Sequence, residues 1–247
     1  MKKSKHLLYF AALAFTLSFF TSCKEADTPP DEMLSFEPET IMDQVPEALK
    51  NSTDEYAVLC VSDIASALDM STFMGDLVPP DEAVRSTGDT WRWSVSSYTY
   101  TMTFYWTYEE DSQKRTWTME VQFENGTIYP YITAWEKKDG SEGEILYNFA
   151  WAQAYGTTED FEELYWTYHW TKDAAGNYTF SWNYDSSDES FEYFLKYEVK
   201  VNADGSGSID YYSVGTKFYH MEWDTEGNGS WSYYSSGEEY LSGTWTV

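Results

Sequence analysis

The chain has 247 residues, 42 of them acidic and 15 basic, for a formal charge of −27, and it carries 12 Trp, 22 Tyr and 14 Phe. That charge repels phosphate backbones, so nucleic acid is excluded as a partner. The aromatic share of 19% is too much apolar surface for a disordered chain, and two cysteines cannot build a disulfide scaffold.

Lys2, Lys3 and Lys5 form a positive start, and the apolar run from Leu7 to Phe20 follows. The run is too short for a bilayer core of about 30 Å, which takes roughly 20 residues. It fits the hydrophobic region of an export signal. Phe20-Thr21-Ser22-Cys23 closes it and resembles the lipobox of bacterial lipoproteins. That resemblance implies cleavage before Cys23 and acyl chains on Cys23 as the membrane attachment. Cleavage removes three Lys and no acid, so 42 acids then face 12 bases, a charge of −30. Anchoring must then come from the acyl chains, each buried CH₂ contributing about 0.8 kcal/mol. Lys24-Glu25-Ala26-Asp27 resembles the surface-export signal of Bacteroidota lipoproteins, which implies display on the outer membrane at the cell surface. The remaining residues to 39, with Pro29, Pro30 and Pro38, read as an extended linker.

Residues 40–80 form a helical segment. Ser52-Thr53-Asp54-Glu55 fits a capping box, with Ser52 as the cap. Tyr56, Leu59, Cys60, Ile64, Ala67 and Leu68 then recur at helical spacing as one apolar face. Gly75 is the expected stop, and a shorter helical piece between Pro38 and Lys50 is interrupted by Pro46. Cys60, on the apolar face, reads as a small buried hydrophobe.

Residues 81–90 read as a polar loop. The period then becomes two, as in Trp117, Met119, Val121 and Phe123, or Tyr178, Phe180, Trp182 and Tyr184. Ile145, Tyr147, Phe149, Trp151 and Tyr155 share another face, and the parity flips near Ser96-Ser97, at a bulge or a strand break. Asn125-Gly126 predicts a two-residue type I′ turn, and Asp139-Gly140, Asp204-Gly205 and Ser236-Gly237 read similarly. The connections are too short for helical crossovers, so residues 81–247 are expected to form an antiparallel up-and-down meander of about 11–12 strands. Accumulated twist should curl it into a half-barrel or a barrel, with the N-terminal helix packed on it. The fold class is mainly β. As a fold-level likeness, a half-barrel with a helix resembles the Lol-type lipoprotein carriers.

Asn202–Ser213 and Asp224–Ser235 align at an offset of 22 with six of twelve positions identical, so the repeat unit is a hairpin. The C-terminal third resembles the Gly-and-aromatic hairpin arrays of MORN-type proteins.

Candidate chemistry is sparse. His169 and His220 lack Cys or His partners at ligand spacing, and no nucleophile elbow or phosphate loop is present. Asp224, Glu226 and Asn228, followed by Gly229, match the front half of a calcium loop, but Ser235 stands where the bidentate Glu belongs. The same residues suit a turn for backbone reasons. The aromatic surplus is the strongest signal, and Trp166, Tyr168, Trp170, Trp182 and Tyr184 are the candidate ligand platform.

The expected function is a lipid-anchored binding or structural lipoprotein, non-enzymatic, whose ligand is a glycan, a peptide or a partner protein. The alternative is a carrier of a lipid or other apolar molecule in a half-barrel cavity. The second alternative is a glycoside hydrolase using paired carboxylates.

Overall fold

The computed structural model describes residues 38–75, 79–96, 101–151, 164–186 and 195–247. Cys23 and the segment around it, Tyr155, and residues 191–194 lie outside the described residues. Two short helices, α1 (Pro38–Met42) and α2 (Glu47–Lys50), precede the long α3 (Glu55–Gly75). Pro46 separates the first two, as its missing N–H and fixed φ dictate. The cap of α3 is Asp54 rather than Ser52: its Oδ1 accepts from Tyr56 N at 2.9 Å and Ala57 N at 3.3 Å. Ser52 instead accepts from Asp54 N at 3.2 Å, one step outside the helix. The buried face is Ala57, Cys60, Ile64, Ala67 and Leu68, while Leu59 is 39% exposed at its margin. Burial pushes the Cys60 thiol pKa up, as expected for an inert apolar side chain.

Among the described residues, thirteen strands form one antiparallel sheet in strict chain order. They are β1 (Val84–Thr87), β2 (Thr90–Ser96), β3 (Thr101–Glu110), β4 (Lys114–Phe123), β5 (Ile128–Lys137), β6 (Glu142–Asn148) and β7 (Leu164–Lys172). Then follow β8 (Tyr178–Ser186), β9 (Leu195–Val201), β10 (Gly207–Ser213), β11 (Thr216–Trp223), β12 (Gly229–Ser235) and β13 (Glu238–Trp245). The sheet is open: β1 and β13 are its two edges, so the closed-barrel option falls away. β1 occupies the stretch expected to be a polar loop. Its residues Val84 to Thr87 pair with β2 through Arg85↔Trp91. The parity flip near Ser96 is a strand break, since Ser96 pairs with Thr101 across β2 and β3. β6 stops at Asn148, whose Oδ1 accepts from Ala150 N at 2.7 Å and turns the chain, so Phe149 and Trp151 do not extend the strand.

Cross-strand register carries single rows of side chains across the sheet. One inner row runs Tyr108, Trp117, Ala134, Ile145, Tyr168, Trp182, Tyr197, Tyr211, Tyr219 and Tyr233. The helix covers part of this face. Tyr56 of α3 stacks on Trp231, centroids 4.2 Å apart, and Tyr197 donates its hydroxyl to the Asp63 carbonyl.

Four glycines sit on the inner face under a tryptophan of the next strand. Gly143 pairs with Trp170, Gly207 with Trp223, Gly229 with Trp245 and Gly243 with Trp231. A Cβ on Gly229 would lie 2.1 Å from the Trp245 ring and 2.3 Å from the Glu222 carbonyl. The ring thus covers a bare stretch of backbone, which restores the apolar burial that a glycine forfeits. Trp223 Nε1 donates to the Gly205 carbonyl and Trp245 Nε1 to the Gly227 carbonyl, both at 2.8 Å. These two features stand 22 residues apart, like the bulges that follow Tyr211 and Tyr233.

The tight turns divide into two kinds. Only Gly126 has positive φ at Asn125-Gly126, and its N–H bonds the Phe123 carbonyl at 2.9 Å. That loop is therefore longer than a type I′ turn and ends on a left-handed glycine. Asp139-Gly140 and Asp204-Gly205 follow the same plan. Positive φ at both residues occurs at Val214-Gly215 and at Ser236-Gly237.

Candidate functional site

The platform residues all reach one face. Trp166 pairs with Tyr184, Tyr168 with Trp182, and Trp170 with Phe180 across β7 and β8. Their availability differs. Tyr168 and Trp170 are buried, the latter lying over Gly143, so these two belong to the core and offer no platform. Trp166, Trp182 and Tyr184 are half-buried. Trp166 sits 5.6 Å from Trp182, 6.1 Å from Tyr184 and 4.9 Å from Phe149, centroid to centroid. Phe149 was predicted on a strand but reaches the cluster from the turn after β6.

Beside this cluster an apolar cleft of about 200 Å³ opens between α3 and the sheet, lined by Ser66, Ala67, Trp182, Leu195, Tyr197 and Tyr211. One wall is held by the hydrogen bond from the Tyr197 hydroxyl to the Asp63 carbonyl. Burial raises the Asp63 pKa, and the nearby Tyr211 hydroxyl works against that rise. Among the described residues, the buried Nε1 atoms of Trp166 and Trp182 find no acceptor. A buried donor left in that state costs roughly 1–3 kcal/mol.

The outer face has the opposite chemistry. One residue along from the inner rows, β10 to β13 align Asp210, His220, Ser232 and Ser242, and beside them Ser208, Glu222, Ser230 and Thr244. All of these but Asp210 line two adjoining open hollows of about 670 and 410 Å³ that share Glu222, Ser230 and Thr244. Asn202, Ser206, Asp224 and Asn228 close one end, and Tyr234 with Glu239 borders the other. Ser230 donates to Glu222 at 3.1 Å and Ser232 to Glu239 at 3.0 Å. The groove therefore presents hydroxyls, amides and carboxylates, a set suited to polar ligands.

Asp210, only 7% exposed, anchors this face. Its Oδ1 meets His220 Nδ1 at 2.7 Å and Lys217 Nζ at 2.5 Å. The Asp210 hydrogen bond raises the His220 pKa, and burial opposes it. For Asp210 burial is the largest influence and pushes the pKa up, but the bonds from His220 and Lys217 outweigh it and leave it lowered. Ser232 lies directly across from His220, yet its hydroxyl donates to Glu239 rather than to the imidazole. Lys196 and Lys200 flank Glu198 at 3.2 and 2.9 Å. Tyr212 lies between Lys196 and Lys217, with each ammonium under 6 Å from its ring, at 5.6 and 5.7 Å.

The calcium candidates close a turn. Asp224 Oδ1 accepts from Glu226 N at 2.9 Å and Asn228 N at 3.0 Å, and Asn228 Oδ1 accepts from Val247 N at 3.2 Å. Asn228 Nδ2 reaches Asp224 Oδ2 at 3.3 Å and Glu226 Oε2 at 3.5 Å. The oxygens a cation needs are thus engaged by amides, as an Asx turn requires. Among the described residues, no three His, Cys, Asp or Glu side chains group to hold a metal.

Sequence reasoning missed the groove because its polar residues are scattered over four strands. It also missed Glu136, which register places on the inner face, fully buried, 3.8 Å from Arg115. A signal for the Gly–Trp pairs was present: Gly207 precedes Trp223, and Gly229 precedes Trp245, by the same spacing. No protein-family model matches the chain, and no curated protein matches it at a significant level.

Proposed function

We propose that this protein is a lipid-anchored lipoprotein, displayed outside the cytoplasm on the outer membrane, that binds a neutral, hydroxyl-rich ligand such as a glycan. The observation that carries the ligand class is the outer-face groove, whose larger part, of about 670 Å³, brings Ser, Thr, Asn and acidic side chains together with Trp223 and Trp245. Open polar grooves of this kind suit extended ligands that exchange water for many hydrogen bonds. The net charge of −27 disfavours anionic ligands. Anchorage rests on the sequence from Lys2 to Cys23, with the acyl chains on Cys23 holding the body to the membrane.

The carrier reading draws less support. The apolar cleft of about 200 Å³ is below the 300–1,000 Å³ typical of sites that enclose a sizeable ligand. The hydrolase reading needs a carboxylate pair framing a bond, and the groove carboxylates Glu222 and Glu239 are instead bonded by Ser230 and Ser232.

Three measurements test the proposal. Cys23→Ser should leave an unprocessed, unacylated precursor by mass spectrometry, and protease treatment of intact cells should cleave only the wild-type protein. Calorimetry with cellohexaose, mannohexaose and chitohexaose should give binding for at least one, weakened by Ser242→Trp in the groove, and none for a heparin hexasaccharide. Acylation without binding of any neutral oligosaccharide would remove the glycan part.

A further inference from the structure

The two edges of the sheet are built differently. β1 spans only Val84–Thr87, follows Pro79 and Pro80, and shifts register between Arg85 and Thr87. Arg85 folds back onto its own turn, with Nε on the Gly88 carbonyl at 2.5 Å and an ion pair to Asp89 at 2.8 Å. Shortness, proline, a bulge and a cation are devices by which an edge strand avoids pairing with another chain. β13 has few of them. Glu238–Trp245 includes no Lys, Arg or Pro, and all of it is exposed except Gly243 and Trp245. Tyr240 and Leu241 are 64% and 51% exposed. The bulge at Tyr240 leaves Leu241 to Trp245 in unbroken register with Tyr233 to Gly229. Among the described residues β12 is the only strand paired with β13, so the far side of this stretch presents backbone N–H and C=O groups to no strand.

Charge decides what fits there. Residues 218–247 carry five acids, Glu222, Asp224, Glu226, Glu238 and Glu239, all exposed, and no Lys or Arg. Pairing β13 with its own copy would bring two such clusters together, on bodies of charge −27 each. A cationic segment is attracted instead. Register sets the pattern of that segment. Leu241 and Gly243 lie on the inner face, across from Tyr233 and Trp231. Ser242 and Thr244 lie on the outer face, across from Ser232 and Ser230, and Glu239 accepts from Ser232 on that same face. Side chains of a strand laid along β13 alternate between these two faces. One set covers the exposed Leu241 surface, and the other meets Glu239. We propose that β13 accepts an extended segment of a partner protein as an added strand, with apolar residues on the Leu241 side alternating with basic residues on the Glu239 side. Main-chain hydrogen bonds supply the attachment, and the alternation supplies the choice of partner.

The probe is a fluorescent heptapeptide of alternating lysine and valine, titrated with the full chain in nonionic detergent and followed by anisotropy. It should bind, and its glutamate–valine counterpart should not. Backbone N–H groups of successive residues in a strand point to opposite edges. With the valines held on the Leu241 side, only one set of N–H groups faces β13. Methylating every valine backbone nitrogen or every lysine backbone nitrogen should therefore give unequal peptides, one that binds and one that does not. Leu241→Lys, at an exposed position, should weaken the parent peptide by about tenfold or more, with the near-ultraviolet dichroism retained. Val84→Lys makes the same charge change at the guarded edge and should leave binding as it is. Absence of binding by the parent peptide overturns the proposal. So does equal binding of the two methylated peptides, since charge alone then accounts for the attraction. Unchanged binding to Leu241→Lys, or an equal loss with Val84→Lys, overturns the assignment to β13. A dimer in sedimentation velocity that Leu241→Lys dissociates would make a second copy the occupant and overturn the cationic partner. Leu241 faces away from the groove, so Leu241→Lys should bind oligosaccharides like the wild type, and failure of either site is read separately from failure of the other.

Discussion

Across β10 to β13, one inner row reads Ile209, Met221, Trp231 and Gly243. One residue along, the outer row of the same strands reads Asp210, His220, Ser232 and Ser242. The backbone is shared, so the difference lies in side chains alone. Inside, large rings lie over glycines and against α3, and each position is defined by its neighbours' volume. Outside, small hydroxyls and a few charged groups leave a groove, and of the outer row Asp210 and Ser232 are nearly buried. A period of two thus lets one strand serve stability on one face and recognition on the other.

The largest effect should come from placing a side chain where a ring lies. Gly229→Val puts atoms against both the Trp245 ring and the Glu222 carbonyl, and the carbonyl cannot swing away. We expect a loss of about 3 kcal/mol or more in urea unfolding, or no folded protein. A near-neutral result would mean that the inner face is loosely packed. Trp223→Ala removes the complementary ring and its bond to the Gly205 carbonyl. It should cost about 3–5 kcal/mol, measured in the same way. Asp54→Ala, which deletes the cap of α3, should cost about 1 kcal/mol.

The Asp210–His220 pair gives the outer face a pH signature. The His220 pKa is raised in the folded state, so its contribution is complete below the ordinary histidine value of about 6.5 and fades as pH rises through the folded value. The Asp210 pKa is lowered, so its contribution is present above the ordinary value of about 3.9 and is lost as pH falls through the folded value. Unfolding free energies between pH 3 and 9 should show both slopes, and Asp210→Asn should flatten both. The smallest effect is expected for Ser242→Ala on the exposed edge strand, within about 0.5 kcal/mol of wild type. A larger loss there would break the division between the two faces.

Much of the fold was legible in the chain. Alternating aromatics at Trp117, Met119, Val121 and Phe123 marked a buried strand face, and all four are buried. Short connections forced antiparallel neighbours, and the sheet order follows the chain without a crossover. Turn geometry was less legible. Asn-Gly is compatible with several loops, and the choice at Asn125-Gly126 depends on how far the flanking strands pair. The cap of α3 moved from Ser52 to Asp54 because both side chains can accept an amide and sequence does not rank them. Of the aromatic platform, the face was legible and the exposure was not: Trp170 and Trp182 look alike in the chain, but only Trp170 meets a glycine.

By itself the sequence determined the period of each segment, the antiparallel succession of strands, and the helix that precedes them. These follow from local rules, where neighbouring side chains and short loops decide. Tertiary structure alone decided that the sheet stays open, that Glu136 turns inward, and that Asp210, His220 and Lys217 meet on one face. It also decided where the groove and the cleft lie. Each of these depends on cross-strand register and helix docking, which bring together residues far apart in the chain. No spacing along the chain encodes such a meeting, because a shift of one residue in register would send every side chain to the other face.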